Sequence, residues 1–442
     1  MHLSCENGTL KSKEEKIIVE SFTPLGRYGH SSILLGNKLY FFGGTKDGDF
    51  FLNVLNEVFF LDVSQQFNVK IPPWTDLTAI SGMDFKSSSA TIVLSDDYDN
   101  PSIYLFGGTM KNKNNENLNI SMIHKFNPIS VQWNVPMIAG VQPERRMNIQ
   151  AVFNSGKIYV FGGFANSLVG LESGIIDFND MVILDINDFT WSYGTILNAP
   201  KQRSSYSATL LPNGMIVYIG GLERGFLVAI GQINIYDTKL ATWSVMLAKS
   251  NDQIQPRFKH SAILVPDGKI IIYGGSGRTA EIEYLKVMPD IAVLNTQATP
   301  FEWTEPQVSS IIGEFPSLTH HSANLVENYM IVAFGSITLP KGIETNYNTN
   351  IYLLDIRNYT WVNTFIPEPT PTNTTYNPSP KATGVIIIRD DNQINTMKIV
   401  IGTISGILCT AIFMTIGIFM YKWIQKRKQD QVIRIHGNTR NL

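Results

Sequence analysis

At 442 residues, with 44% hydrophobic, 16% charged and 11% aromatic side chains and 34 glycines, the chain is composed like many short buried strands joined by tight turns. That make-up excludes a disordered or coiled-coil polypeptide, and a net charge of −2 with no long basic run before the C-terminal tail excludes an electrostatic footprint for nucleic acid. The two cysteines, Cys5 and Cys409, offer no disulfide framework, so the redox compartment stays open.

Residues 1–23 form an N-terminal segment. Its opening, MHLSCENGTLKSKEEK, lacks the apolar core of a secretion signal, and KIIVESF (Lys16 to Phe22) reads as a strand able to close a blade begun elsewhere. From residue 24 to 365 a pattern recurs. An apolar run ends in two glycines at Gly43 and Gly44, Gly107 and Gly108, Gly162 and Gly163, Gly220 and Gly221, and Gly274 and Gly275. MIVAFGS, with Gly335 followed by Ser336, is an eroded sixth copy, and first glycines fall 54 to 64 residues apart.

Each copy then carries a strand ending in a turn-prone residue (Asp62, Asn127, Asp185, Asp237, Asn295, Asp355) and one tryptophan: Trp74, Trp133, Trp191, Trp243, Trp303 and Trp361. Upstream of the glycines lies a strand with a polar start, RYGHSSILL from Arg27, RRMNIQAVF from Arg145, RSSYSATLL from Arg203 and RFKHSAILV from Arg257; the second and sixth copies lack the arginine. Four strands per unit, here a to d, cannot bury both faces alone, so the units must pack around an axis.

Beyond the array, residues 366–396 form a Pro/Thr-rich stalk containing a strand-like GVIIIRD (Gly384 to Asp390). Residues 397–421 read as a transmembrane helix: Ile399 to Tyr421 carry no charge, and 23 residues at 1.5 Å each span about 34 Å. Gly402 and Gly406 make a GxxxG pair through which two such helices would dimerise. Lys422, Trp423, Lys426, Arg427 and Lys428 open a short basic tail (422–442), which the positive-inside rule places in the cytosol with the repeats extracellular or lumenal. The missing signal segment argues the other way, and a start absent from this sequence reconciles the two.

The combination of Arg-x-x-His/Ser, apolar-Gly-Gly, apolar-Asp and Trp resembles the kelch repeat, over roughly residues 24 to 365. Fungal cell-end-marker kelch proteins, the attractin and muskelin propellers and the central domain of galactose oxidase look similar. The resemblance implies an all-β kelch propeller, expected to have six blades, with seven as the alternative. The copper radical chemistry of galactose oxidase, as that family implies, needs a cysteine cross-linked to tyrosine. No cysteine lies between Cys5 and Cys409, so the likeness extends to fold alone, and neither cofactor nor metal site is expected. His30, His260 and His321 recur in register, which assigns them a structural task in each blade rather than convergence on a metal. No nucleophile elbow, Walker loop, HExxH or CxxC pair occurs, so no enzyme is expected.

In an up-and-down blade the b–c and d–a loops share one face, and the b–c loops are long and varied, which suits recognition. Phe50, Phe51, Phe164, Leu168, Arg224, Phe226, Arg278, Glu281 and Tyr284 are the partner-contacting candidates, in competition with a plain role in covering the face. Asn7, Asn119, Asn358 and Asn373 open N-glycosylation triplets. The expectation is a single-pass membrane protein whose propeller binds a protein or cell-surface glycan. A cytosol-facing scaffold in cell polarity or trafficking is the alternative, and an enzyme on a galactose oxidase-like frame ranks last.

Overall fold

A computed structural model describes residues 22–46, 53–97, 100–117, 121–250, 253–340, 342–343 and 347–369. The chain divides into two units, Met1–Thr370 and Pro371–Leu442, and the second lies wholly outside the described residues. The stalk, the apolar run Ile399 to Tyr421, its GxxxG pair and the basic tail fall there, as do all of KIIVESF but Phe22, both cysteines, Phe50, Phe51, Asn7, Asn119 and Asn373. Among the described residues no helix is long and apolar enough to cross a membrane.

Among the described residues, six sheets each carry four antiparallel strands from one contiguous stretch of chain, and Ser309–Ser310 adds a fifth, parallel strand to the sixth. The first uses Ser31–Leu35, Lys38–Phe42, Val58–Asp62 and Trp74–Asp76. The second uses Thr91–Leu94, Ile103–Phe106, Ile123–Asn127 and Gln132–Asn134. The third comprises Ala151–Asn154, Lys157–Phe161, Met181–Asp185 and Thr190–Tyr193. The fourth comprises Ser207–Leu210, Met215–Ile219, Gln232–Asp237 and Thr242–Leu247. Ser261–Leu264, Lys269–Tyr273, Ile291–Asn295 and Glu302–Thr304 build the fifth, and Ser322–Val326, Tyr329–Ala333, Ile351–Asp355 and Thr360–Val362 the sixth. Each a strand touches the a strands of two neighbouring sheets, and the first touches the sixth, so the ring closes.

Strand b reads as a continuous apolar run because both of its faces are buried between sheets. In the first sheet Leu39 and Phe41 enter the core shared with the sixth, while Tyr40 and Phe42 enter the core shared with the second. The tryptophan on each strand d reaches strand b of the preceding sheet. Ring centroids lie 4.7 Å apart for Trp243 and Phe161, 5.3 Å for Trp361 and Tyr273, and 5.7 Å for Trp191 and Phe106. The turn residue between c and d works through its side chain: Asp185 Oδ1 accepts from the Asn187 amide at 3.0 Å, and Asp62, Asn127, Asp237, Asn295 and Asp355 cap their turns alike.

The glycine pairs stitch sheet to sheet. The amide of the second glycine donates to the next sheet's chain: Gly44 to the Ser87 carbonyl (2.8 Å), Gly108 to Arg146 (2.8 Å), Gly275 to Leu318 (2.8 Å). Gly335 donates in the same way to the Arg27 carbonyl (2.8 Å), which closes the ring. The eroded copy is therefore displaced by one residue from the sequence reading: Gly335 is its second glycine, and Phe334, fully buried with φ +58°, stands at the first. In the third repeat it is Arg146, not Arg145, that fills the arginine position. Its Nη1 donates to the Gly162 carbonyl at 3.1 Å, as Arg257 Nη1 does to Gly274 at 3.1 Å.

At the seam, Thr364–Phe365 pairs antiparallel with Phe67–Asn68, and the Phe67 and Phe365 rings stack at 5.2 Å. Phe22, the described residue of KIIVESF, sits 5.6 Å from Phe59.

Candidate functional site: the axial mouth on the loop face

The residues two places after each repeat arginine position line one central channel together: Gly29, Ser89, Asn148, Ser205, Lys259 and His320. All six have positive φ, between 53° and 63°. Their backbones form a cycle in which each amide donates to the preceding carbonyl, from Ser89 to Gly29 (2.7 Å), through Ser205 to Asn148 (2.8 Å) and Lys259 to Ser205 (2.8 Å), to Gly29 donating to His320 (3.2 Å). Side chains reinforce three of these steps. His30 Nε2 meets Ser322 Oγ at 2.8 Å, His260 Nε2 meets Ser207 Oγ at 2.9 Å, and His321 Nε2 meets Ser261 Oγ at 2.8 Å, each bond joining two sheets. Burial holds all three rings far below the usual imidazole range, to about 3 for His260 and His321. They are neutral struts, and among the described residues no group of acidic, histidine or cysteine side chains gathers to hold a metal.

Above this ring the b–c loops fold back toward the d–a segments through short pairings. Arg203–Ser204 pairs with Leu222–Glu223, and Met147 bridges to Phe164. These pairings cover part of the face and leave a depression of about 650 Å³ over the third to fifth sheets. Phe164, Leu168, Arg224, Arg278 and Tyr284 all line it. Phe226 and Glu281 do not; Phe226 is 77% exposed beside it, and Glu281 bonds Thr279. Arg278 Nη1 donates to the Gly225 carbonyl (3.0 Å), tying two loops together, and Arg224 Nε donates to Gln202 Oε1 (2.9 Å).

Sequence reasoning missed the floor: Asn148, Ser205, Phe258, Lys259 and Glu283 also line the depression. The available signal was the register of turn-prone residues two places after the arginine. Tyr284 lies 5.6 Å from Phe258 and 5.5 Å from His320, whose ring meets Tyr28 edge-on at 5.5 Å. Neither ring nitrogen of His320 has a partner among the described residues, and burial holds its imidazole neutral. Lys259 reaches both the depression and the axial channel beneath it. Burial pushes its ammonium down to about 7, against the opposing pull of the Glu283 carboxylate. Asn358, which opens the glycosylation triplet among the described residues, is exposed in a c–d turn on the opposite face.

The sequence profile of the KLHDC2/KLHL20/DRC7 Kelch-repeats domain matches residues 67–275. Kelch domain-containing protein 3 of Homo sapiens is 25% identical over 264 residues, 56% of this chain and 64% of that protein. An F-box/kelch-repeat protein of Arabidopsis thaliana is 26% identical over 302 residues, 66% and 59% of the two chains. Acyl-CoA-binding domain-containing protein 4 of Arabidopsis thaliana is 23% identical over 379 residues, 80% and 51%. The chain thus spans about half to under two thirds of the length of these relatives. The solved structure of YjhT superimposes with a TM-score of 0.55 at 16% identity, covering 77% of this chain and 98% of that one, a likeness of fold alone. The repeat, the ring of sheets and these matches support a kelch-type β-propeller.

Proposed function

We propose that this chain is a six-bladed kelch propeller that binds a protein partner at the axial mouth of its loop face and is held on a membrane by the run Ile399 to Tyr421. One observation carries the binding reading: loops from three consecutive sheets, distant in sequence, bring Phe164, Leu168, Arg224, Arg278 and Tyr284 to one depression on a rigid frame. Aromatic and arginine side chains over a stiff scaffold give contact area at small entropy cost. Kelch-repeat relatives suit a binding rather than a catalytic role. The closed cycle of backbone bonds supports six blades.

A photo-cross-linker placed at Leu168 or Phe226 of the full chain tests the site. Capture of a discrete protein from those positions, and none from Lys239 in a c–d turn of the opposite face, is the expected result; the reverse pattern sinks it. Membrane attachment rests on the apolar run and the basic residues after it. Retention in the pellet after alkaline carbonate, with a mobility shift on N-glycosidase treatment, fits an extracellular or lumenal propeller. Retention without a shift favours the cytosol-facing scaffold.

A further inference from the structure

We propose that Lys259 is an imine-forming amine, and that the depression above it accepts a small anionic aldehyde or ketone. The inference holds whether or not the surrounding loops dock a protein. The axial cycle demands positive φ at six positions, a conformation that favours Gly, Asn and small turn residues. Four positions comply with Gly29, Ser89, Asn148 and Ser205, whereas Lys259 and His320 place large side chains there, side by side in the cycle. The cycle accounts for the backbone at Lys259; what the fold does not require is a long amine at a position that lines the depression.

Among the described residues no hydrogen bond or ion pair holds the Lys259 ammonium, although Glu283 lines the same depression. His320, neutral and without ring partners, offers no compensating charge. An unpaired, half-buried lysine lining a pocket is the arrangement that turns an ammonium into a nucleophile. Its free amine attacks a carbonyl carbon, a proton passes from nitrogen to oxygen, and water leaves as the C=N bond forms, with no net oxidation. Arg224 and Arg278 on the wall, neither ion-paired with the Asp177 and Glu283 carboxylates of the same lining, supply positive charge for an anionic substituent, and Tyr284 and Phe258 supply flat apolar surface.

Pyridoxal 5′-phosphate is a suitable probe, being an aldehyde with an anionic group. The full chain is incubated with it at pH 7, reduced with borohydride, and the modified lysines are mapped by peptide mass spectrometry. A pKa near 7 against an ordinary 10.4 gives Lys259 a neutral fraction on the order of a thousandfold larger at that pH. Lower basicity weakens the nucleophile in part, so labelling about tenfold or more above exposed lysines such as Lys113 and Lys239 is expected. The Lys259 rate is expected to level off near pH 7. Adducts spread over the exposed lysines, or a Lys259 rate still climbing at pH 9, would overturn the assignment. Lys259→Asn, which tolerates positive φ, should abolish the adduct with the fold retained. Glu283→Gln should move the plateau to lower pH, since the carboxylate that supports the ammonium is gone; an unmoved profile counts against the proposal. Pyridoxal without its phosphate should label more slowly, and equal rates would refute the anionic part.

Discussion

Gly43 and Gly36 both hold positive φ, yet only one has a neighbour in the way. A Cβ on Gly43 would stand 2.1 Å from the Ser87 carbonyl oxygen, a backbone atom of the next sheet, whereas nothing lies within 4 Å of one on Gly36. Gly43→Ala should therefore cost about 3 kcal/mol or more, from backbone strain plus a forced shift between sheets, against about 1 kcal/mol for Gly36→Ala. Urea denaturation of the two variants measures the difference, and equal costs would show that the glycine pair does not set sheet spacing. The buried histidines make a second prediction. His30, His124, His260, His320 and His321 are all held below the ordinary imidazole value, chiefly by burial. An unfolded chain binds protons at these sites once pH falls below about 6.5, and the folded one refuses them, so stability is full above that pH and lost beneath it. Each ring contributes up to about 1.4 kcal/mol per pH unit, and the unfolding midpoint should fall steeply from pH 6.5 toward 4.5. His260→Gln should flatten the fall by one proton; an unchanged slope would mean that the ring is already charged in the fold.

Between sheets, the tryptophans do similar work with different hydrogen bonding. Trp303 Nε1 donates to the Ile230 carbonyl at 3.0 Å, while the equally buried Trp361 Nε1 has no partner among the described residues. Replacing either by phenylalanine removes a similar volume, but only Trp303→Phe leaves a buried carbonyl unpaired. It should be the costlier of the two by about 1 kcal/mol, read as a shift in urea midpoint; the opposite order would argue for a water on Trp361. These elements were legible in the sequence because their chemistry recurs: glycine where a Cβ collides, an Asx side chain where a turn needs capping, tryptophan where a gap between sheets must be filled. The sixth glycine pair was misread by one residue because Phe334 adopts the glycine conformation, and side-chain identity no longer reports it. The axial cycle was hidden for the same reason. It asks only for positive φ, which Gly29, Ser89, Asn148, Ser205, Lys259 and His320 meet with unrelated side chains. Edge protection was equally invisible: segments arriving from the preceding sheet lie parallel along strand d, Ala139 on Thr190, Lys249 on Glu302 and Ser309–Ser310 on Thr360 and Trp361.

Across the whole molecule, the contact between sixth and first sheets is of the same kind as the other five. It has its own core around Phe41, Phe59, Ile331 and Phe334, its own amide bond from Gly335 to Arg27, its own strut from His30 to Ser322 and its own link from Gly29 to His320. A linear repeat array unfolds from its ends, because terminal units have one neighbour and the others two. Here every sheet has two neighbours, so losing one exposes two cores at once, and partial unfolding has no cheap starting point. The ring should therefore melt as a unit. Single-tryptophan variants retaining only Trp191 or only Trp361, with phenylalanine elsewhere, report on opposite parts of the ring, and their denaturation curves should coincide when both carry the same destabilising change. Ile331→Ala, at the seam, and Ile219→Ala, in the core between the fourth and fifth sheets, should each displace both reporters together by about 2 to 5 kcal/mol. If the seam variant moves only the Trp361 reporter, the sixth-to-first contact is a weak joint and the array is effectively open. In that case the axial mouth would rest on a flexible arc, and the precise meeting of loops from the third to fifth sheets would lose its rigid support.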